Sequence, residues 1–329
     1  MIRVQYFQNG SLMPTSLEPE SFQTALSDTG GMFWVDFQGE PPETCEPILL
    51  DTFKFHPLAI EDALHQTHVP KVDEWEQYLY IALHAINFEP EAGELELIEL
   101  DVFLGENYLV THHDLPILAL DRVWQAFQME ERHRRSGVDH ILYMLTDELI
   151  VDFMRAIEVL DEEIEDVENR IFTKPDNAQI QKAFTLKRVT MHLRRSLSPM
   201  REVLNKLARD DYSQIDARDR IYFRDVYDHL VRLHDIAEGL RDLVGGVLDT
   251  YLSVINNRMN DIMRTLTLIT TLFMPISFVA GFFGMNFFQP VSSGLKTWTD
   301  NPAFILMMAL IVLTSVGMFL WMRRRGWMQ

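Results

Sequence analysis

Between Asp249 and Gly284, steps of three and four residues meet Asp249, Ser253, Asn256, Asn260, Met263, Thr267, Thr270, Met274, Ser277, Gly281 and Gly284. At that spacing they share one face of a helix, because side chains three and four apart lie above one another. The face is small, polar or flexible, whereas the rest of the segment is mostly Leu, Ile, Phe and Val. Carboxylate and carbonyl oxygens in file are hard ligands, suited to a hard cation. Two blander accounts compete. Small residues make dry seams between helices, which suits Gly281 and Gly284, and an isolated Thr or Ser can bond its own backbone. Neither covers Asp249, Asn256 and Asn260 on the same line, whereas a water-filled path accounts for the whole file.

The element that carries this file must cross a membrane. Residues 265–295 hold no charged side chain, and a second uncharged run covers 304–322. A spanning helix needs about 17–25 such residues, and a soluble core rarely needs two runs of this length. Arg258 and Arg264 precede the first run, and Arg323, Arg324 and Arg325 follow the second. Basic flanks stay on the cytoplasmic side, so both termini are expected inside the plasma (inner) membrane and loop 287–303 outside. Trp298, Trp321 and Trp327 stand where interfacial anchors belong. The start, MIRVQYFQNG, reads as a strand and has no apolar signal core.

Charge divides the same way. The chain has 329 residues and a net charge of −20; residues 264–329 carry five bases and one acid, leaving 24 bases and 48 acids in the first 263. An acidic head of that kind argues against nucleic acid as a partner, and a single cysteine, Cys45, excludes a disulfide scaffold.

Residues 1–137 read as an α/β domain. Strands are expected at 2–7, 32–37, 78–86, 97–104 and 108–111, and short helices at 43–53, 57–65 and 116–135. Residues 138–263 read as a helical bundle and stalk. Apolar spacing predicts a helix over 139–172 with an acidic face and another over 178–209 with a basic face, the two pairing antiparallel; Pro199 marks an expected kink or break. A third helix is expected from 216 to 286, roughly 105 Å long, in which Gly245 and Gly246 would permit close packing or bending. The remainder divides into a first membrane helix (264–286), the outer loop, a second membrane helix (304–322) and a basic tail (323–329).

Two helices cannot enclose a pore, so a path along this file needs several copies of the chain around an axis. Each position then becomes a ring: Asn and Asp rings suit a hard cation, and rings of Met263, Leu266 and Met274 would be apolar constrictions able to gate by dewetting. The file ends at Gly284-Met285-Asn286. This tripeptide closes a membrane helix, with a second span and a basic tail behind it. Together with FMPISFVAGFFGMNF, YFRDVYDHL, HPLAIEDAL and the ending RRRGW, it resembles the CorA-type magnesium/cobalt transporters.

The resemblance implies a homopentamer with an α/β cytosolic head, a stalk helix continuous with the inner membrane helix, and an outer ring of second helices in lipid. It implies Mg²⁺ as both transported and regulatory ion, with no organic cofactor. Asn286 would select the hydrated ion, with Gly284 and Met285 shaping the turn. Pore-lining positions fall on Asp249, Asn260, Met263, Leu266, Met274 and Ser277, and the spacing adds Asn256, Thr267 and Thr270. Regulatory metal sites between heads fall on Asp62 and Asp225, with Glu61 and Asp147 as a second cluster. One departure stands out: the outer loop of the family often carries an acid in a Met-Pro-Glu context, but here Asp300 is the only acid and Lys296 offsets it. Alternatives are the related zinc-transporting branch, passage of Co²⁺ or Ni²⁺, and a membrane-anchored coiled-coil scaffold that conducts nothing. No P-loop, HExxH or nucleophile-elbow pattern occurs, so enzymatic activity is not expected. His65 with His68, and His112-His113-Asp114, are better read as ordinary surface or core histidines than as a metal site.

Overall fold

A computed structural model describes residues 1–8, 11–13, 21–28, 30–65, 69–89, 94–130, 136–173, 175–285 and 302–325. The chain forms two compact units, Met1–Tyr251 and Leu252–Gln329.

The first unit opens with β1 (Ile2–Gln8), β2 (Ser11–Leu12), α1 (Phe22–Leu26), β3 (Gly31–Gln38) and α2 (Pro42–Pro47), which runs on into a π-helical turn, Ile48–Thr52. Then come α3 (Pro57–His65), β4 (Lys71–Glu74), β5 (Leu79–Glu89), β6 (Glu94–Leu104), β7 (Tyr108–His113) and α4 (Leu118–Met129). The strands make one sheet in the order β2-β1-β3-β7-β6-β5-β4. Every pairing is antiparallel except β3 with β7.

Period-two alternation places Phe33, Val35, Phe37, Tyr80, Phe103 and Val110 on one face, where they form one buried cluster with Ala59, Ile60 and Ala63 of α3. Trp34, on the opposite face, meets Trp124 and Phe127 of α4. The expected strands are all present. β2, β4 and α1 were not expected; each has five residues or fewer, too short for a periodic signal.

Two long helices follow, α5 (Val138–Thr173) and α6 (Asn177–Arg209). Asp176 caps α6 by accepting from the backbone N–H groups of Ala178 and Gln179. The expected pairing of acidic and basic faces occurs where Lys182 reaches Glu163 and, at 3.8 Å, Asp166. The break expected at Pro199 does not occur, because α6 runs through it. Pro199 costs one helical hydrogen bond, but Leu197, Met200, Val203 and Leu204 around it are buried and hold the helix in register.

The last helices are α7 (Arg220–Gly284) and α8 (Pro302–Arg324). α7 begins later than expected, because residues 216–219 form a turn in which the Asp216 carbonyl accepts from the N–H groups of Asp219 and Arg220. Gly245 and Gly246 are helical without left-handed φ. A Cβ at either would meet nothing within 4 Å, so no described segment packs closely on them.

In the second unit only Val279 and Met322 are buried among the described residues. Leu266, Phe273, Phe278, Ile305 and Leu313 are all more than half exposed. Both helices are long and apolar enough to cross a membrane, and apart from those two side chains their described apolar residues in this unit are not buried. A soluble core helix of this composition would be covered. This much bare apolar surface needs lipid or other copies around it.

Candidate functional site

The file read from the sequence lies on α7. Asp249, Ser253, Asn256, Asn260, Met263, Thr267, Thr270, Met274, Ser277 and Gly281 are all exposed, and Leu266, one position off the line, is exposed as well. Among the described residues, none therefore buries that face. Thr267 donates its hydroxyl to the Met263 carbonyl at 2.7 Å, and Thr270 donates to the Leu266 carbonyl at 2.8 Å. The hydroxyl hydrogens point into the helix, so the threonine oxygens present lone pairs outward. Gly284 ends α7 and the exposed Met285 follows it. Asn286, Trp298, Trp327 and the outer loop lie outside the described residues.

The head acids fall into two pairs. Glu61 and Asp62 are neighbours on α3, the first exposed and the second half-buried. Asp62 pairs with Lys71, whose ammonium also reaches Asp73 at 2.7 Å. Asp147 on α5 is half-buried and Asp225 on α7 is exposed. Burial pushes the Asp147 carboxyl above the usual range, and the negative charges of Glu148 and Asp225 add to it against the opposing pull of His229. The Asp225 charge thus reaches the Asp147 carboxyl. Among the described residues no three His, Cys, Asp or Glu side chains converge with metal-binding geometry, so a full oxygen shell would need water or a second copy of the chain.

A cavity of about 150 Å³ in the head is lined by His84, Glu99, Asp101, His112, His113 and Asp114 among others. His112 Nδ1 lies 3.6 Å from Asp101 Oδ2, and His113 Nε2 lies 3.2 Å from Asp36 Oδ1. Burial raises the Asp101 carboxyl to about 6, against the nearby His112 ring and the hydrogen bond that Tyr80 donates. Burial acts the same way on Asp36, but His113, Thr111 and Arg3 together hold its carboxyl below the ordinary range. The histidine pair is therefore a paired core element, as the bland reading expected. Its partners Asp36 and Asp101 escaped the sequence reading, since the strand pairing that joins them is nonlocal. His65 is exposed, with Nδ1 3.2 Å from the Glu61 carbonyl oxygen, and His68 lies outside the described residues.

A family model described as CorA-like Mg²⁺ transporter protein matches residues 29–324. The chain is 33% identical to YfjQ of Bacillus subtilis, whose name assigns it provisionally to metal ion transport, over 90% of this chain and 89% of that protein. It is 32% identical to the cobalt/magnesium transport protein CorA of Thermotoga maritima, over 92% of this chain and 85% of that one. The solved structure of the CorA magnesium transporter from Methanocaldococcus jannaschii shares the fold with a TM-score of 0.79 at 24% identity, covering 99% of this chain and 98% of that one.

Proposed function

The chain belongs to the family of CorA-like Mg²⁺ transporter proteins, and from that premise we propose that it is a homopentameric channel admitting Mg²⁺ to the cytosol. The observation that carries this reading is the file on α7: a continuous line of oxygen-bearing, small and thioether side chains, exposed on the chain that bears them, leading to Gly284-Met285-Asn286. Five copies of α7 around an axis turn the file into a lined, water-filled path, with α8 outside it in lipid. Both termini then lie in the cytoplasm.

Mg²⁺ gives up water reluctantly. A ring of Asn286 carbonyls accepts hydrogen bonds from the hydration shell without stripping it, where a carboxylate ring would hold the ion more tightly and slow its release. Below it, the Thr270, Thr267, Asn260 and Asn256 rings offer further acceptors, and Met274, Leu266 and Met263 form apolar constrictions that close by dewetting. The membrane potential supplies the drive, about 4.6 kcal/mol per 100 mV for a divalent ion.

The head supplies regulation. Asp62 and Asp225, seconded by Glu61 and Asp147, would hold Mg²⁺ between neighbouring heads. The donor set fits, since all are carboxylates and the exposed Asp225 and half-buried Asp62 remain reachable. Tighter binding to the closed arrangement than to the open one makes such a site a gate.

The test is Mg²⁺ influx into proteoliposomes holding a trapped indicator, with wild type and Asn286→Ala side by side and Zn²⁺ and Co²⁺ in parallel. Mg²⁺ influx that Asn286→Ala abolishes is the expected result. Zn²⁺ influx without Mg²⁺ influx would assign the protein to zinc transport, and no flux of any ion would leave a non-conducting scaffold.

A further inference from the structure

Lys71 is the first residue of β4, at the sheet edge, and its register partner on β5 is Ala82. Residues two apart on a strand share a face, so Lys71 and Asp73 point the same way, toward the side that α3 covers. There the Lys71 ammonium lies between the carboxylates of Asp62 and Asp73 and 5.1 Å above the ring of Tyr80. Tyr80 in turn donates its hydroxyl to Asp101 at 2.7 Å, which fixes the aromatic floor beneath the ammonium. The Lys71 side chain is only 31% exposed.

Asp62 therefore has a cation already, one attached to the same chain. An arriving divalent ion meets a carboxylate whose negative charge is matched, beside a positive charge that repels it. We propose that Lys71 is a tethered counter-cation of Asp62 which a divalent ion must displace, so that Lys71 sets the cytosolic Mg²⁺ concentration at which the head's regulatory site fills. The proposal rests on the reading of Asp62 as a regulatory ligand. Asp73 gives the released ammonium a place to go, 2.7 Å away, without leaving a carboxylate bare. A plain structural tie between α3 and β4 would act the other way, since removing it would loosen the head and weaken Mg²⁺ binding.

The experiment titrates Mg²⁺ against the resistance of the full-length protein to limited proteolysis, and against influx into proteoliposomes, for wild type, Lys71→Met, Lys71→Gln, Lys71→Arg and Asp62→Ala. Removing one like charge from a partly exposed site should lower the midpoint about fivefold in Lys71→Met and Lys71→Gln. Lys71→Arg, which keeps the charge, should stay within about twofold of wild type. Asp62→Ala should raise the midpoint. A raised midpoint in Asp62→Ala with an unchanged or raised midpoint in both neutral Lys71 variants overturns the role of Lys71 alone. An unchanged midpoint in Asp62→Ala overturns the assignment of Asp62, and that of Lys71 with it.

Discussion

Thr270 separates a wet path from a dry seam. Its hydroxyl hydrogen goes to the Leu266 carbonyl at 2.8 Å, an oxygen that the helix ladder already uses, so the bond adds little to the helix. Thr270→Ala should therefore leave helix content unchanged by circular dichroism. If the file is wet, the same change replaces a ring of oxygen acceptors by methyls and should lower Mg²⁺ flux roughly fivefold, the equivalent of one neutral hydrogen bond. A dry seam would show no change in flux. The sequence makes the polar file legible because helical periodicity alone places it. It does not show that Thr267 and Thr270 turn their hydrogens inward, a matter of rotamer. Nor does it show that Asp62 is held by Lys71, nine positions along and across a strand edge.

The start of α7 carries a pH dependence. Asp219 stands at the head of the helix, its carbonyl accepting from the N–H groups of Tyr222 and Phe223. Burial first, then the neighbouring carboxylates of Asp139 and Asp216, raise its carboxyl from 3.8 to about 7. In the unfolded chain Asp219 ionises near its ordinary value; in the folded chain it keeps its proton until about pH 7. Between those values the folded state holds the extra proton, so stability falls as pH rises through the window, and the loss is complete above it. Asp219→Asn keeps a donor toward Asp139 and cannot ionise. The variant should match wild type only below about pH 4, gain on it as pH rises through the window, and melt about 3 °C higher at pH 8, read by thermal unfolding of the full-length protein. Elements of this size were largely legible: α3 was expected with its observed bounds, and α5 and α6 to within a residue. The failures have physical causes. Pro199 is carried by the buried side chains around it, and β4 reads Lys-Val-Asp-Glu, a strand only because β5 offers it an edge.

At the scale of the whole molecule, charge and apolar surface divide the chain in the same place. The first 263 residues hold twice as many acids as bases, and the apolar helices that follow are uncovered. Both facts are legible in the sequence, because they need only counting. The assembly that would cover those helices is not, since one chain carries half of each contact. In the proposed pentamer five acidic heads would repel one another, and monovalent salt screens such repulsion only beyond roughly 8–10 Å. A divalent ion between carboxylates acts at shorter range and at chosen points, so it favours one arrangement of the heads over others. Asp225 is the informative position: it is exposed, so Asp225→Ala should leave the fold of the head alone and remove a carboxylate from the proposed contact between heads. The expected outcome is a midpoint for inhibition by internal Mg²⁺ about tenfold higher than in wild type, about the loss of one charged ligand, with the maximal flux at low internal Mg²⁺ unchanged. The measurement is influx into proteoliposomes preloaded with graded Mg²⁺. An unchanged midpoint would remove Asp225 from the gate, and an equal fall in flux at every internal concentration would mark it as a residue of the path instead.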